Sequence, residues 1–258
     1  MIDLHCHLLP GVDDGPDSLE ESLALCRIAV ADGITHSIVT PHIHPGRWEN
    51  NKASIEHDSK ALQQALDEHN IPLKLGFAGE VRLTDQIMRQ VENDEIPFYG
   101  EVDGYQIMLL EFPHGHIIPG SEKLVEWLLG RKIRPLIAHP ERNREVMRDV
   151  SKIEPFVEMG CMLQLTGGSL LGLFGGPVEN AAYEILNKGW VDVVASDGHN
   201  KGSRRPELSI VYGVITKYLG STAPTNCLLK NQGIIAAKQI YSESDVHQSI
   251  DTDIHFHD

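Results

Sequence analysis

Two short strings far apart in the chain, His5-Cys6-His7 near its start and Asp197-Gly198-His199 near its end, carry residue types that bind metal ions. Residues two apart in an extended segment share a face, so a strand ending in His-x-His offers both imidazoles to one side, and Cys6 between them points away. With 14 histidines in 258 residues, one such pair can arise by chance. The ends of the other apolar runs add the weight. His42 stands after the second, Glu80 after the third, Glu111 after the fourth, His139 after the fifth, and Asp197 with His199 after the seventh. Only the sixth run, ending near Thr166, lacks such a residue, and Asp14 in the loop after the first adds a carboxylate. Five histidines and four carboxylates exceed what one ion can use, so two or three divalent cations sharing a carboxylate are expected. Imidazole with carboxylate and no thiolate suits Mn, Fe or Zn better than Ca or Mg, and Mn is the first expectation among the three.

Those residues converge only if the runs are parallel strands whose C-terminal ends meet at one mouth. The apolar runs read as strands at 2–5, 36–40, 73–78, 106–110, 134–138, 162–165 and 191–195, and helical patterns at 18–31, 52–68, 121–129, 153–159, 178–187 and 207–218 alternate with them. In the first helix, Ser18 supplies a cap, Glu20 and Glu21 occupy the first turn, Leu19, Leu23, Cys26 and Val30 recur on one face, and Gly33 ends it. The expected architecture is an α/β barrel in a single domain over 1–241. It is followed by an acidic, flexible tail over 242–258 whose His255 and His257 are assigned to solvent.

A net charge of −15 argues against broad nucleic-acid or anionic-membrane binding, both of which need a positive face. The sequence shows neither a long apolar span nor a signal-peptide pattern, so a soluble, cytoplasmic protein is expected. Cys6, Cys26, Cys161 and Cys227 are scattered and read as buried free thiols. A cysteine-dependent phosphatase needs an arginine six positions after its nucleophile. Here those positions hold Val12, Asp32, Gly167 and Gly233, which excludes that chemistry. The glycine-rich stretch 167–176 lacks the Lys-Ser/Thr ending of a nucleotide-binding loop and reads as a flexible rim of the mouth.

His5-Cys6-His7, the loop Gly11-Val12-Asp13-Asp14-Gly15-Pro16, Thr40-Pro41-His42, Gly79-Glu80, Leu110-Glu111-Phe112, Ala138-His139-Pro140-Glu141-Arg142 and Ala195-Ser196-Asp197-Gly198-His199-Asn200 together resemble the polymerase and histidinol phosphatase (PHP) superfamily. Within it they are most similar to the metal-dependent protein-tyrosine phosphatases of capsule and exopolysaccharide loci, the CpsB/CapC type. The resemblance runs to about Lys238. It implies a distorted seven-stranded βα barrel with three metal ions. The first would be held by His5, His7, Glu80 and Asp197, the second by Glu80, Glu111 and His139, and the third by Asp14, His42 and His199. It also implies two arginines toward the phosphate. Arg142 matches the first. The second is Arg204 when counted from His199, or Arg205 when counted back from Pro206.

The implied reaction is attack of a metal-bridged hydroxide in line on a phosphate monoester, with the arginines holding the remaining oxygens. The implied substrate is a phosphotyrosine protein, the tail of a bacterial tyrosine kinase that regulates polysaccharide synthesis and export. Within the same superfamily the alternative is a small-molecule phosphatase of the histidinol-phosphatase kind. An inactive regulatory binding module would show a missing ligand, and none is missing. A TatD-like or amidohydrolase barrel shares the opening His-x-His but leaves the Asp-Asp-Gly-Pro loop and Asp197-x-His199 unexplained. His44, Arg47 and Trp48, and likewise His114 and His116, are secondary candidates around the entrance, whereas His36, His57 and His69 read as structural or surface residues. The general acid and the oligomeric state stay unassigned.

Overall fold

All seven apolar runs form strands in a computed structural model of the chain, which describes residues 1–240; the 242–258 tail lies outside the described residues. The strands are β1 (Ile2–Cys6), β2 (His36–Val39), β3 (His42–His44), β4 (Trp48–Glu49), β5 (Lys74–Phe77), β6 (Glu80–Arg82), β7 (Glu101–Val102), β8 (Tyr105–Glu111), β9 (Ile133–Ala138), β10 (Met162–Thr166) and β11 (Val193–Ala195). β3 resumes the path of β2 after Thr40-Pro41, and β6 resumes that of β5 after Ala78-Gly79. Proline has no N–H to give a ladder, which accounts for the first interruption. β4 and β7 are two-residue antiparallel additions to β3 and β8.

The parallel ladders divide into one sheet ordered β1-β2-β5 and a second ordered β11-β10-β9-β8-β6-β3-β4. The first and last strands meet through a single parallel bridge between Cys6 and Gly198, where the His7 N–H donates to the Gly198 carbonyl at 2.9 Å and the Asp197 N–H to the His5 carbonyl at 2.8 Å. The architecture is thus α/β around a central parallel sheet, and the described strands form no continuous closed barrel ladder. The register fixes the mouth. His42 pairs with Glu80, Arg82 with Glu111, and Glu111 with Ala138, so consecutive strand ends deliver their chemistry side by side.

Alternate residues of a strand serve two layers. Ile107 and Leu109 pack with Leu4, Ile38, Leu136 and Val193 on one side, while Met108 and Leu110 join the larger cluster on the other. A register shift between Asp3 and Cys6 accompanies the turn of Cys6 into the larger cluster, where its thiol donates to the Ile38 carbonyl. Ser18 caps Leu19–Ala31 by accepting from the Glu21 N–H, and Asn51 and Ser54 form a reciprocal capping box on Lys52–Glu68. Cys6, Cys26 and Cys161 are buried and free; the Cys227 side chain lies outside the described ones.

One helix the sequence does not announce, Ala223–Ile240, packs against β1, β5 and β11. It contributes Ile235 and Ala236 to the smaller apolar layer. Its Gln232 side chain, buried, accepts from the Tyr212 hydroxyl at 2.6 Å and donates to the Val194 carbonyl.

Candidate metal centre

The nine expected ligands converge on one pocket at the C-terminal ends of the strands. The Nε2 atoms of His5 and His7 are 3.2 Å apart, and each lies 3.3 to 3.5 Å from Glu80 Oε2 and Asp197 Oδ1. His139 Nε2 is 2.7 Å from Glu80 Oε1, and His42 Nδ1 is 2.9 Å from Glu80 Oε2 and 3.9 Å from Glu111 Oε2. Asp14 Oδ1 lies 3.3 Å from His42 Nε2 and 3.2 Å from His199 Nε2. Glu80, wholly buried, touches four of the histidines and forms the hub.

The ring tautomers are fixed from behind. His5 Nδ1 donates to the Gln164 side-chain oxygen at 2.9 Å, His7 Nδ1 to Asp13 at 2.7 Å, and His199 Nδ1 to the Asp197 carbonyl at 2.8 Å. Each of these bonds leaves Nε2 with a lone pair facing the acids, which is how metal-ligating histidines are held. Glu80 Oε2, Asp197 Oδ1, His42 Nδ1 and His199 Nε2 are buried without a hydrogen-bond partner of proper geometry. Orphaned buried polar atoms are costly unless something pairs with them, and divalent cations meet that need.

Charge points the same way. Burial alone would raise the Asp197 carboxyl, but His5, Arg204 and His199 outweigh it and hold it well below the carboxylate range. Burial likewise opposes ionisation of Glu80, yet His42 and His5 hold it well below its usual value. In return, despite burial, Glu80 and Asp197 raise His5, Asp13 raises His7, and Glu80 draws His42 up to about 10. His139 is pushed down to about 3 by burial and the Arg142 charge, and His199 down to about 4 by burial and the His7 charge. Burial and the Glu80 charge raise Glu111. The carboxylates therefore demand positive charge in the pocket, which divalent cations would supply.

Ligand atoms gather into three overlapping groups: His7, Asp14, His42 and His199; His5, His7 and Glu80; and His42, Glu80 and Glu111. Here His42 sits with Glu80 and Glu111 as well as with Asp14 and His199. His139 and Asp197 reach the cluster through Glu80 and through the paired imidazoles of His5 and His7. Both His139 (φ 32°) and Asp197 (φ 52°) hold left-handed backbone conformations, which are strained for residues other than glycine and common at functional sites.

Two local turns bring in the remaining groups. The loop after β1 folds so tightly that a Cβ on Gly15 would lie 2.8 Å from the His7 carbonyl oxygen, and this turn presents Asp13 and Asp14 to the pocket. After β11, a Cβ on Gly198 would lie 2.8 Å from Pro206, so the chain doubles back over the expected ligands. There the Arg204 carbonyl accepts from His199 and Asn200, and Arg204 Nη2 reaches Asp197 Oδ2 at 2.7 Å. Arg142 Nη1 bonds the same oxygen at 2.5 Å. Arg205 turns away to Glu207 at 2.8 Å, and only Arg204 of the two lines the mouth.

The mouth is a cavity of about 100 Å³. Of the secondary candidates, His44, Arg47, Trp48 and His114 line it; His116 does not. Trp48 stacks on His42 at 4.6 Å, and Arg47 lies 3.9 Å over Trp48. Sequence reasoning assigned no role to Asp13, Gln164 or Arg82. Asp13 carried a signal, being one of the two carboxylates of the Asp-Asp-Gly loop, whereas Gln164 and Arg82, which pairs with Glu111 at 2.7 Å, carried none.

The family model for capsular polysaccharide synthesis proteins, CpsB/CapC, matches residues 1–236. The chain belongs to the CpsB/CapC family. Within that family it is 32% identical to the tyrosine-protein phosphatase YwqE of Bacillus subtilis, over 91% of this chain and 93% of YwqE. It is 28% identical to the tyrosine-protein phosphatase CpsB of Streptococcus pneumoniae, over 93% of this chain and all of that protein. Its structure matches one solved in a study of YwqE and CpsB as metal-dependent tyrosine phosphatases, with a TM-score of 0.85 and 32% identity over 93% of this chain and 96% of the other. More distantly, an amidohydrolase from Mycoplasma synoviae shares the CpsB/CapC chain's fold, with a TM-score of 0.57 at 12% identity over 94% of this chain and 88% of the other.

Proposed function

We propose that this chain is a metal-dependent protein-tyrosine phosphatase acting on the phosphorylated tail of a tyrosine kinase that regulates capsular or exopolysaccharide synthesis. The observation that carries this reading is the convergence of nine histidine and carboxylate side chains beneath two arginines, in a member of a family whose named relatives are tyrosine phosphatases.

The residues fit two or three divalent cations, Mn first. One would be held by His5, His7, Glu80 and Asp197, a second by Glu80, Glu111 and His139, and a third by Asp14, His42 and His199, with Glu80 as the shared carboxylate. Such cations, when bound, neutralise a phosphate dianion and make hydroxide available at neutral pH. The protein supplies the rest. Arg142 and Arg204 each give one N–H to Asp197, and their remaining donors are free to bind phosphate oxygens in the forked geometry that guanidinium favours. Gln164, Asp13 and the Asp197 carbonyl keep His5, His7 and His199 in the tautomer that presents Nε2. With a phenolate leaving group of pKa about 10, leaving-group protonation matters less than for an alkyl ester.

We read the two ladders as one distorted seven-stranded barrel interrupted at Thr40-Pro41 and Ala78-Gly79, a reading supported by the Cys6–Gly198 bridge. No helix among the described residues is long and apolar enough to cross a membrane. The three described thiols are free, in keeping with a reducing cytoplasm.

Metal-loaded protein incubated with a phosphotyrosine peptide should release phosphate, and faster than it does from histidinol phosphate. No release with Mn, Fe or Zn overturns the reading, and preference for histidinol phosphate moves the chain to the small-molecule branch of the superfamily.

A further inference from the structure

A second cavity of about 240 Å³ adjoins the metal centre, with Leu171, Leu173, Phe174, Arg204, Arg205 and Glu207 in its wall. Arg204 lines both spaces, so the two share this side chain as a wall. Arg142, another arginine at the mouth, lies 4.6 Å over the Phe174 ring. The glycine-rich stretch that carries these apolar residues is anchored to the Arg142 turn. Glu141 Oε1 accepts from the Thr166 N–H at 3.0 Å and from the Ser169 hydroxyl at 2.7 Å, and the Leu173 N–H donates to the Gly168 carbonyl at 3.0 Å. Where the sequence suggests a flexible rim, the structure shows a short helix, Gly167–Leu170, and a turn built against the arginines.

The lining says what this cavity takes. Arg205 is paired with Glu207, and Arg204 is turned to Asp197 and the phosphate position at the mouth, so neither cation is left to recruit an acid into this second cavity. Besides small residues such as Thr166, Ser196 and Ser203, what remains is Leu171, Leu173 and Phe174, with Leu173 56% exposed in a strongly acidic protein. Exposed apolar surface bordering a polar reaction site fits an apolar group attached to the molecule reacting there. A phosphate gripped by Arg142 and Arg204 brings the peptide that bears it across Arg204, and hence over this cavity.

We propose that the Leu171–Leu173–Phe174 cavity is a docking subsite for an apolar side chain next to the phosphotyrosine in the substrate peptide. The inference rests on the phosphatase reading above. It gives the enzyme a means of preferring a protein segment to a free phosphomonoester.

The test uses the full, metal-loaded chain and a set of phosphotyrosine peptides that differ only in the flanking residues, which are Leu, Ala or Asp, with free phosphotyrosine as the reference. Burying one leucine side chain corresponds to roughly a tenfold gain, so kcat/KM for the Leu-flanked peptide should exceed that for the Ala-flanked one by about that factor. Leu173→Asp should abolish this preference, and the Ala-flanked peptide run alongside reports any general loss. Equal turnover of all flanks, a preference for Asp, or a Leu preference that survives in Leu173→Asp overturns the subsite while leaving the phosphatase reading intact. If no phosphotyrosine compound is hydrolysed, both fall together.

Discussion

Replacing Asp13 by Asn should weaken metal binding about 10- to 100-fold while leaving the fold in place, although Asp13 is not itself among the nine expected ligands. Its side chain is fully buried and arranged only to accept. Oδ2 takes the His7 Nδ1–H at 2.7 Å and the His42 backbone N–H at 3.1 Å, and Oδ1 takes the Gly15 N–H at 3.0 Å. Asparagine has one acceptor and one donor end. In one orientation its NH2 faces Gly15; in the other it faces both His7 and His42. Either way a charge-assisted bond is weakened and two donors are set against each other, a loss of about 1.5–3 kcal/mol. That range corresponds to about 10- to 100-fold in affinity if it falls on the His7 orientation that binding requires. Competition of Mn or Zn against a chromophoric chelator reads the affinity, and thermal melting monitors the fold. An Asp13→Asn protein that binds metal as tightly as the parent would refute the claim that Asp13 holds His7 for its ligand role.

The same geometry sets further expected outcomes. Arg204→Ala should lower kcat/KM on a phosphotyrosine peptide about 100-fold, as expected for one donor to developing charge, while Arg205→Ala, which breaks only the Glu207 pair, should change it by less than roughly threefold. Steady-state kinetics on both variants decide between them. Glu141 is wholly buried and burial raises its carboxyl from 4.5 to about 7, so the folded state holds that proton more tightly than the unfolded chain. The associated stability is present below pH 4.5 and is lost as pH rises through about 7. Glu141→Gln should remove that slope and become progressively more stable than the parent across this window, by up to about 3 kcal/mol; parallel pH–melting curves for the two proteins would contradict the assignment. Chelation should abolish phosphatase activity and lower the melting temperature, because the packed carboxylates lose their counter-charge, and readdition of Mn should restore both.

The parallel strands and the convergence of the nine candidate residues were legible because each rests on a local rule: an apolar run, then a histidine or carboxylate at its C-terminal end. β3 and β6 were not, since each is a three-residue resumption of a strand whose apolar part has already ended. Ala223–Ile240 escaped for a different reason. Its inward face includes buried Thr225 and Gln232, whose side chains bond to Thr216 and to Tyr212 and Val194, so no clean apolar stripe marks it. Nor could spacing separate Arg204 from Arg205. Adjacent residues point in different directions, and only the fold of the turn over Gly198 shows that Arg204 reaches Asp197. Gln164 was invisible because it acts through His5, from a strand whose own end carries no ligand.

The proposed phosphatase chemistry requires the nine side chains to hold several ions at once. Anomalous diffraction at the manganese edge, on crystals of the Mn-loaded protein, answers whether they do. Two or three anomalous peaks inside the pocket are expected, with Glu80 contacting more than one of them. A single peak, or peaks only outside the pocket, would contradict a shared multi-metal centre.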